Sequence, residues 1–148
     1  MSRPIVVGTD GSLSSTWALR WALREGRARS EPVHILFAWQ YPPVHSMVLG
    51  PPSGNAIGAR DVLDAASALA ARWEPGVDAR RVERVGAAVP ALVDASRDAA
   101  LLVVGTSGHV PFHDLLSGSV THQCVIEAHC PVVTVRAKDE ELESLAWP

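Results

Sequence analysis

Four small residues carry the chemistry that this chain can be expected to do. Gly105 and Gly108 stand with two residues between them, and nine residues further on come Gly118 and Ser119, followed directly by Val120 and Thr121. Gly105 closes the apolar run LLVVG, and Gly118-Ser119 opens a segment of helical pattern, so the set brackets a strand-to-helix crossover. The first turn of a helix leaves backbone N–H groups unpaired and carries the positive end of the helix dipole, so main chain alone can hold a phosphate there. Ser119 and Thr121 add hydroxyl donors in that first turn, and Gly105 and Gly108 can take the positive φ that a loop folded over a ligand often demands. Singly, each residue has a plainer role, since a glycine ends many strands and a serine caps many helices. The four together at this spacing favour an anion.

The elements that must position this turn follow from the hydrophobic periods. Pro4 to Thr9 is a short apolar run stopped by Asp10-Gly11-Ser12, the pattern of a buried parallel strand feeding a helix with Ser12 as its cap. From Leu13 to about Arg29 the period lengthens. Leu13, Trp17 and Trp21 share a stripe with Ala18 and Ala22 beside it, and both tryptophans are expected in the core. Val33 to Trp39 reads as the second strand, with His34 a structural histidine at its start. Residues 40 to 54 hold Pro42, Pro43, Pro51 and Pro52 and are too long for a simple crossover, which suggests a lid or flap.

Ala56 to Trp73 returns to helical spacing, with Leu63, Ala66, Leu69, Ala70 and Trp73 on one face, until Pro75-Gly76 stops it. Ala79 to Val85 alternates charge with valine as an edge strand would. A short helix from about Val89 to Arg97, with Pro90 in its first turn, leads to the strand that starts at Leu101, and Val132 to Arg136 is the last strand. Strands and helices alternate throughout, which predicts an α/β, doubly wound domain with helices on both faces of its sheet. With 148 residues, 47% of them apolar, the chain has material for one core.

The resemblance of this chain rests on GTSG, nine residues, GSV, then CPVVTV, together with VVGTDGS near the start. With these motifs it resembles the universal stress protein family, in its nucleotide-binding branch. The likeness runs in order over residues 4 to 136, so the expected domain is 1–136, followed by an acidic C-terminal tail over 137–148. The resemblance implies a Rossmann-like, five-stranded parallel sheet of order 3-2-1-4-5. Winding then reverses between the first and fourth strands, and open sheets bind ligands in the crevice at that point. Asp10 and Gly105 would meet there.

The resemblance further implies an adenine nucleotide: ATP, ADP or AMP. Thr9, Asp10 and Ala38 would hold the adenosine, and Gly105, Gly108, Gly118, Ser119, Val120 and Thr121 the ribose and phosphates, with any Mg²⁺ carried in by the nucleotide. Asp10 keeps a second reading as the acceptor of an Asx-turn. Ser107 stands inside the glycine loop, where many nucleotide-binding members carry Arg or His, and His109-Val110-Pro111-Phe112-His113 follows, so a triphosphate is disfavoured relative to AMP or ADP unless a protonated His109 replaces that basic residue. Members commonly pair their fifth strands, which makes 132–136 the implied homodimer edge. The implied role is a regulatory, stress-response homodimer. The alternatives are a nucleotide-free protein-interaction module, which Ser107 and Pro111 favour, and a weak ATP hydrolase.

Other function classes find little support. The formal charge of −3 argues against a nucleic-acid or anionic-membrane binder. Arginines at 20, 24, 27 and 29 and at 80, 81 and 84 read as solvated faces. Without a secretory leader or a membrane-length apolar run, a cytoplasmic location is expected, with Cys124 and Cys130 as free thiols. His109, His113 and Asp114 lack a zinc motif, and no GxxxxGK[ST], GxSxG or post-strand GxGxxG is present, so neither a catalytic residue nor a metal ligand is assigned.

Overall fold

The computed structural model describes residues 2–40, 56–106 and 120–136. Nine elements alternate along these segments: β1 (Ile5–Gly8), α1 (Leu13–Arg29), β2 (Val33–Trp39), α2 (Ala56–Trp73), β3 (Ala79–Val85), α3 (Ala88–Ser96), β4 (Leu101–Thr106), α4 (Val120–Glu127) and β5 (Val132–Arg136). The strands form one sheet in the order β3-β2-β1-β4-β5, every pairing parallel, as expected. Ile5 lies opposite both Val33 and Leu101, which sets β1 at the centre with neighbours on each side.

Side-chain alternation along the strands divides the interior into two layers. Ile5, Val7, Val33, Ile35, Leu101 and Val103 face α1 and α2, meeting Leu19, Leu23, Leu63, Ala66 and Ala70. On the other face Val6, Leu36, Leu102 and Val104 meet Leu92 of α3 and Cys124 of α4. Helices therefore cover both faces, and the α2 stripe read from the sequence packs as expected.

The stripe expected on α1 is corrected. Leu13 is 45% exposed, Trp17 and Trp21 are only half-buried, and the contact line is Ser15, Ala18, Leu19, Ala22, Leu23 and Gly26. The reason is distance. Small residues at 15, 18, 22 and 26 let the helix lie close on the sheet, and indole rings cannot fit beneath a backbone at that separation. Trp21 instead packs along the flank of the core.

Strand and helix ends are set locally. Ser12 caps α1 by accepting a hydrogen bond from the Ser15 N–H at 3.3 Å, and Gly11 supplies the positive φ of 81° that the preceding turn requires. Ser30, at the left-handed C-cap, donates its N–H to the carbonyls of Arg27 and Gly26, and Pro32 follows. Arg24, Arg27, Arg29, Arg80, Arg81 and Arg84 are exposed, as read, whereas Arg20, read with them, is half-buried over the Trp17 ring. Several pair with acids: Arg27 with Glu74, Arg29 with Glu25, Arg80 with Asp78 and Arg81 with Asp64. The proline-rich stretch, the loop containing Ser107 to His113, and the tail lie outside the described residues.

Candidate functional site

The carboxyl ends of β1 and β4 lie side by side, and α1 starts directly beyond β1. This is where the sheet's winding reverses, and a cavity of about 160 Å³ opens there. Gly8, Thr9, Asp10, Ser12, Ser14, Ser15, Leu36, Ala38, Ala88, Leu92, Val104, Gly105, Val120 and Thr121 line it. Two segments more than ninety positions apart in sequence therefore share one crevice. A larger hollow of about 610 Å³ lies at the opposite ends of the strands, among Arg27, Glu31, Trp73 and Glu74. It lacks the strand-to-helix turns that aim main-chain donors at a ligand.

Six of the nine residues expected at the site meet in this cavity: Thr9, Asp10, Ala38, Gly105, Val120 and Thr121. Gly108, Gly118 and Ser119 lie outside the described residues. Asp10 forms the Asx-turn that its position suggested, its Oδ1 accepting from the Ser12 N–H at 2.9 Å, and it lines the cavity as well. Burial works against its ionisation. The hydrogen bonds from the Ser12 side chain and amide, from Ser15 and from its own amide outweigh that effect, and the carboxyl is held below the usual aspartate value.

Behind Asp10 a hydroxyl network fixes the start of α1. Ser15 Oγ donates to the Ser12 carbonyl at 2.9 Å and lies 3.4 Å from Thr9 Oγ1, and Thr16 Oγ1 donates to the same carbonyl at 3.0 Å. Ser12 and Ser14 place their hydroxyls 3.2 Å apart at the cavity edge. Across the cleft Thr121 Oγ1 donates to the Gly105 carbonyl at 3.1 Å, tying α4 to β4. That hydroxyl hydrogen is committed within the protein, so toward a ligand Thr121 offers its oxygen as acceptor.

Gly105 does not use the positive φ open to a glycine; among the described glycines only Gly11 and Gly86 have that conformation. Gly105 is small for another reason: a Cβ there would run into the backbone of Ser14 and lie 2.9 Å from the Ser15 nitrogen. The glycine lets the first turn of α1 press against the end of β4. That contact closes one wall of the cavity.

The family comparisons agree with this architecture. The model of the universal stress protein family matches residues 1–136. The chain belongs to the universal stress protein family. Universal stress protein Rv2624c of Mycobacterium tuberculosis is 30% identical over 146 residues, covering 98% of this chain and 53% of its own length. Universal stress protein Rv2623 of the same organism is 35% identical, covering 91% and 48%. The chain thus spans about half the length of the curated relatives it matches. Among solved structures, a universal stress protein in complex with cAMP superposes with a TM-score of 0.71 at 29% identity, over 93% of this chain and 98% of that one. The universal stress protein from Archaeoglobus fulgidus, at 23% identity and a TM-score of 0.69, shares the fold.

Sequence reasoning missed Gly8, Ser14, Ser15, Leu36, Ala88, Leu92 and Val104, and took Ser12 only as a cap. The run Ser12-Leu13-Ser14-Ser15-Thr16 behind an aspartate was the available signal, since three hydroxyls in the first turn exceed what one cap needs. Nothing in the sequence singled out Leu92 or Ala88, because a leucine on a short apolar helix reads as ordinary core. No cluster of three or more His, Cys, Asp or Glu suited to a metal ion occurs among the described residues, and no helix there is long and apolar enough to cross a membrane.

Proposed function

We propose that this chain binds an adenine nucleotide in the crevice between β1 and β4 and acts as a regulatory, stress-response module. The observation that carries the reading is the convergence of Thr9, Asp10, Ala38, Gly105, Val120 and Thr121 on one cavity at the switch point of the sheet. The match to a universal stress protein solved with cAMP supports it. Asp10 is the one charged residue among the described lining residues, so it repels phosphate and suits the ribose hydroxyls. Phosphates then lie toward the N-terminus of α4, beside Val120 and Thr121, with Gly108, Gly118 and Ser119 as further main-chain donors. Without a cationic side chain among those lining residues, AMP and ADP are held better than ATP. A Mg²⁺ ion accompanies the nucleotide's own phosphates when ATP binds.

The protein forms a homodimer in this reading through the outer edge of β5, which pairs only with β4 among the described strands. Its place is the cytoplasm. A second reading, a nucleotide-free interaction module, draws on the 160 Å³ that the described residues enclose, below the roughly 300–1,000 Å³ usual for small-molecule sites.

Calorimetric titration with AMP, ADP and ATP separates the two. Val120 is 43% exposed and is the first residue of α4, so Val120→Glu places a carboxylate where the helix dipole favours it and a phosphate does not. The nucleotide reading predicts binding by the wild type, tightest for AMP or ADP, and its loss in Val120→Glu at unchanged melting temperature. Silence from all three nucleotides, with no nucleotide released from freshly purified protein on denaturation, would replace it with the interaction module.

A further inference from the structure

The cavity has two chemically distinct halves. Leu36, Leu92 and Val104 are nearly inaccessible and meet Gly8 and Ala38 on one face of the sheet, whereas Asp10, Ser12, Ser14 and Thr121 stand at the more exposed rim. A ligand with a flat apolar ring and a polar tail would enter ring first. The wall opposite the strands is α3, which contributes Ala88 and, one turn later on the same face, Leu92.

Leu92 is the larger of these two side chains, and its position is closely defined. A Cβ built on Gly8 would meet Leu92 Cδ2 at 3.2 Å and Cδ1 at 3.4 Å, so the isobutyl group lies directly over the last residue of β1. The helix that carries it is tied at its far end: Ser96 Oγ donates to the Val93 carbonyl at 2.6 Å and accepts the His129 N–H at 2.9 Å. At the cavity end Ala87 offers no side-chain cap. There Leu92 packs on Gly8 and in one cluster with Leu36 and Val104.

We propose that Leu92, held against Gly8, is the specificity-determining residue for the base. It admits a flat, unsubstituted purine and excludes purines with bulk on the edge that faces α3. This rests on the nucleotide reading above and adds to it the side chain that sets the size limit. A methyl group at position 8 would press on Leu92, which must then give by a few tenths of an ångström.

The test uses the full chain with AMP and three AMP analogues carrying a benzyl-sized group at N6, C2 or C8. Wild type should bind AMP and reject at least the analogue whose added group faces α3. In Leu92→Ala at least one analogue should gain about tenfold or more relative to AMP, the discrimination that loss of buried carbon atoms gives in an apolar pocket. Leu92→Val, which removes one carbon and is the milder change to the core, should move the same analogue in the same direction. Gly8→Ala should weaken AMP, and adding Leu92→Ala to it should restore binding, because Leu92 is then no longer in the way. Analogue-to-AMP ratios unchanged in both Leu92 variants, while AMP still binds, would overturn the proposal. So would an equal effect of Gly8→Ala with and without Leu92. Failure of wild type to bind AMP is a different result: it removes the nucleotide reading itself, and this proposal with it.

Discussion

Replacing Gly105 by alanine tests how the cleft is built. The new Cβ would lie 2.5 Å from the Ser14 carbonyl carbon and 2.9 Å from the Ser15 nitrogen, and would contact the Ser14 oxygen. Carbon atoms normally approach to about 3.5–4.0 Å, so the start of α1 must withdraw from β4 by about 1 Å. All three obstructing atoms belong to the backbone, and no side-chain rotation relieves them. Overpacking of this kind costs about 1–3 kcal/mol. For a chain of this size each kcal/mol lowers the melting temperature by about 2–4 °C, giving an expected drop of about 2–12 °C. The same movement carries Ser12, Ser14 and Ser15 away from the cavity and disturbs the Asp10 turn, so nucleotide affinity falls with stability. Gly58→Ala is the matched control. A Cβ at this helical position meets nothing within 4 Å, and the substitution should stabilise the protein by about 0.5–1 kcal/mol. Calorimetric melts of the three proteins decide the matter. A Gly105→Ala variant that melts within 1 °C or so of wild type and binds AMP normally would refute the close approach of α1 to β4.

Other expectations follow from the same local structure. Ser12→Ala removes the side-chain cap of α1 and should cost about 1 kcal/mol by thermal melting, whereas Ser12→Asp, also a good cap, should lose little; equal losses would argue against a capping role. The Asp10 carboxyl titrates lower in the folded chain than the value of about 3.9 in the unfolded one, so it contributes stability above that pH, and the contribution is lost as the pH falls through the folded value. The stability gap between wild type and Asp10→Asn should accordingly be constant from pH 5 to 7 and shrink below about pH 4, as read from urea melts; a gap independent of pH would contradict this. Cys124 is fully buried, and burial pushes its thiol up to about 11, while Cys130 is only half-buried. A thiol reagent at pH 8 should modify Cys130 in the native protein and both cysteines only after denaturation; rapid labelling of Cys124 in the native state would contradict its place in the core.

Much of the fold was legible because two periods and their punctuation carry it. Val33–Trp39 and Ala56–Trp73 coincide with the segments read from a buried apolar run and from three-to-four spacing, and Asp10-Gly11-Ser12 and Pro75-Gly76 mark real stops. The face of α1 was not legible. Size alone puts Trp17 and Trp21 in the core, but the distance of closest approach favours Ser15, Ala18, Ala22 and Gly26, and that distance is set by the sheet rather than by the helix's own sequence. Gly105 illustrates the same gap: a glycine between strand and loop suggests positive φ, yet it is a partner fourscore residues and more away, at Ser14, that forbids a side chain. At the site, Thr121 was legible as a hydroxyl in the first turn after Gly118-Ser119, whereas the ligand role of Asp10 came with the family resemblance and its own position spoke only for an Asx-turn or a helix cap. Leu92 and Val104 look like any other core residue until the third dimension brings them beside Gly8.

The most direct test of the account is an amide ¹H–¹⁵N titration of the full chain with AMP. The account predicts saturable shifts at Thr9, Asp10, Ala38, Gly105, Val120 and Thr121, and none at Trp73, Glu74 and Gly76, which line the hollow at the other end of the sheet. Shifts confined to that opposite hollow, or no saturable shift at the β1–β4 crevice, would contradict it.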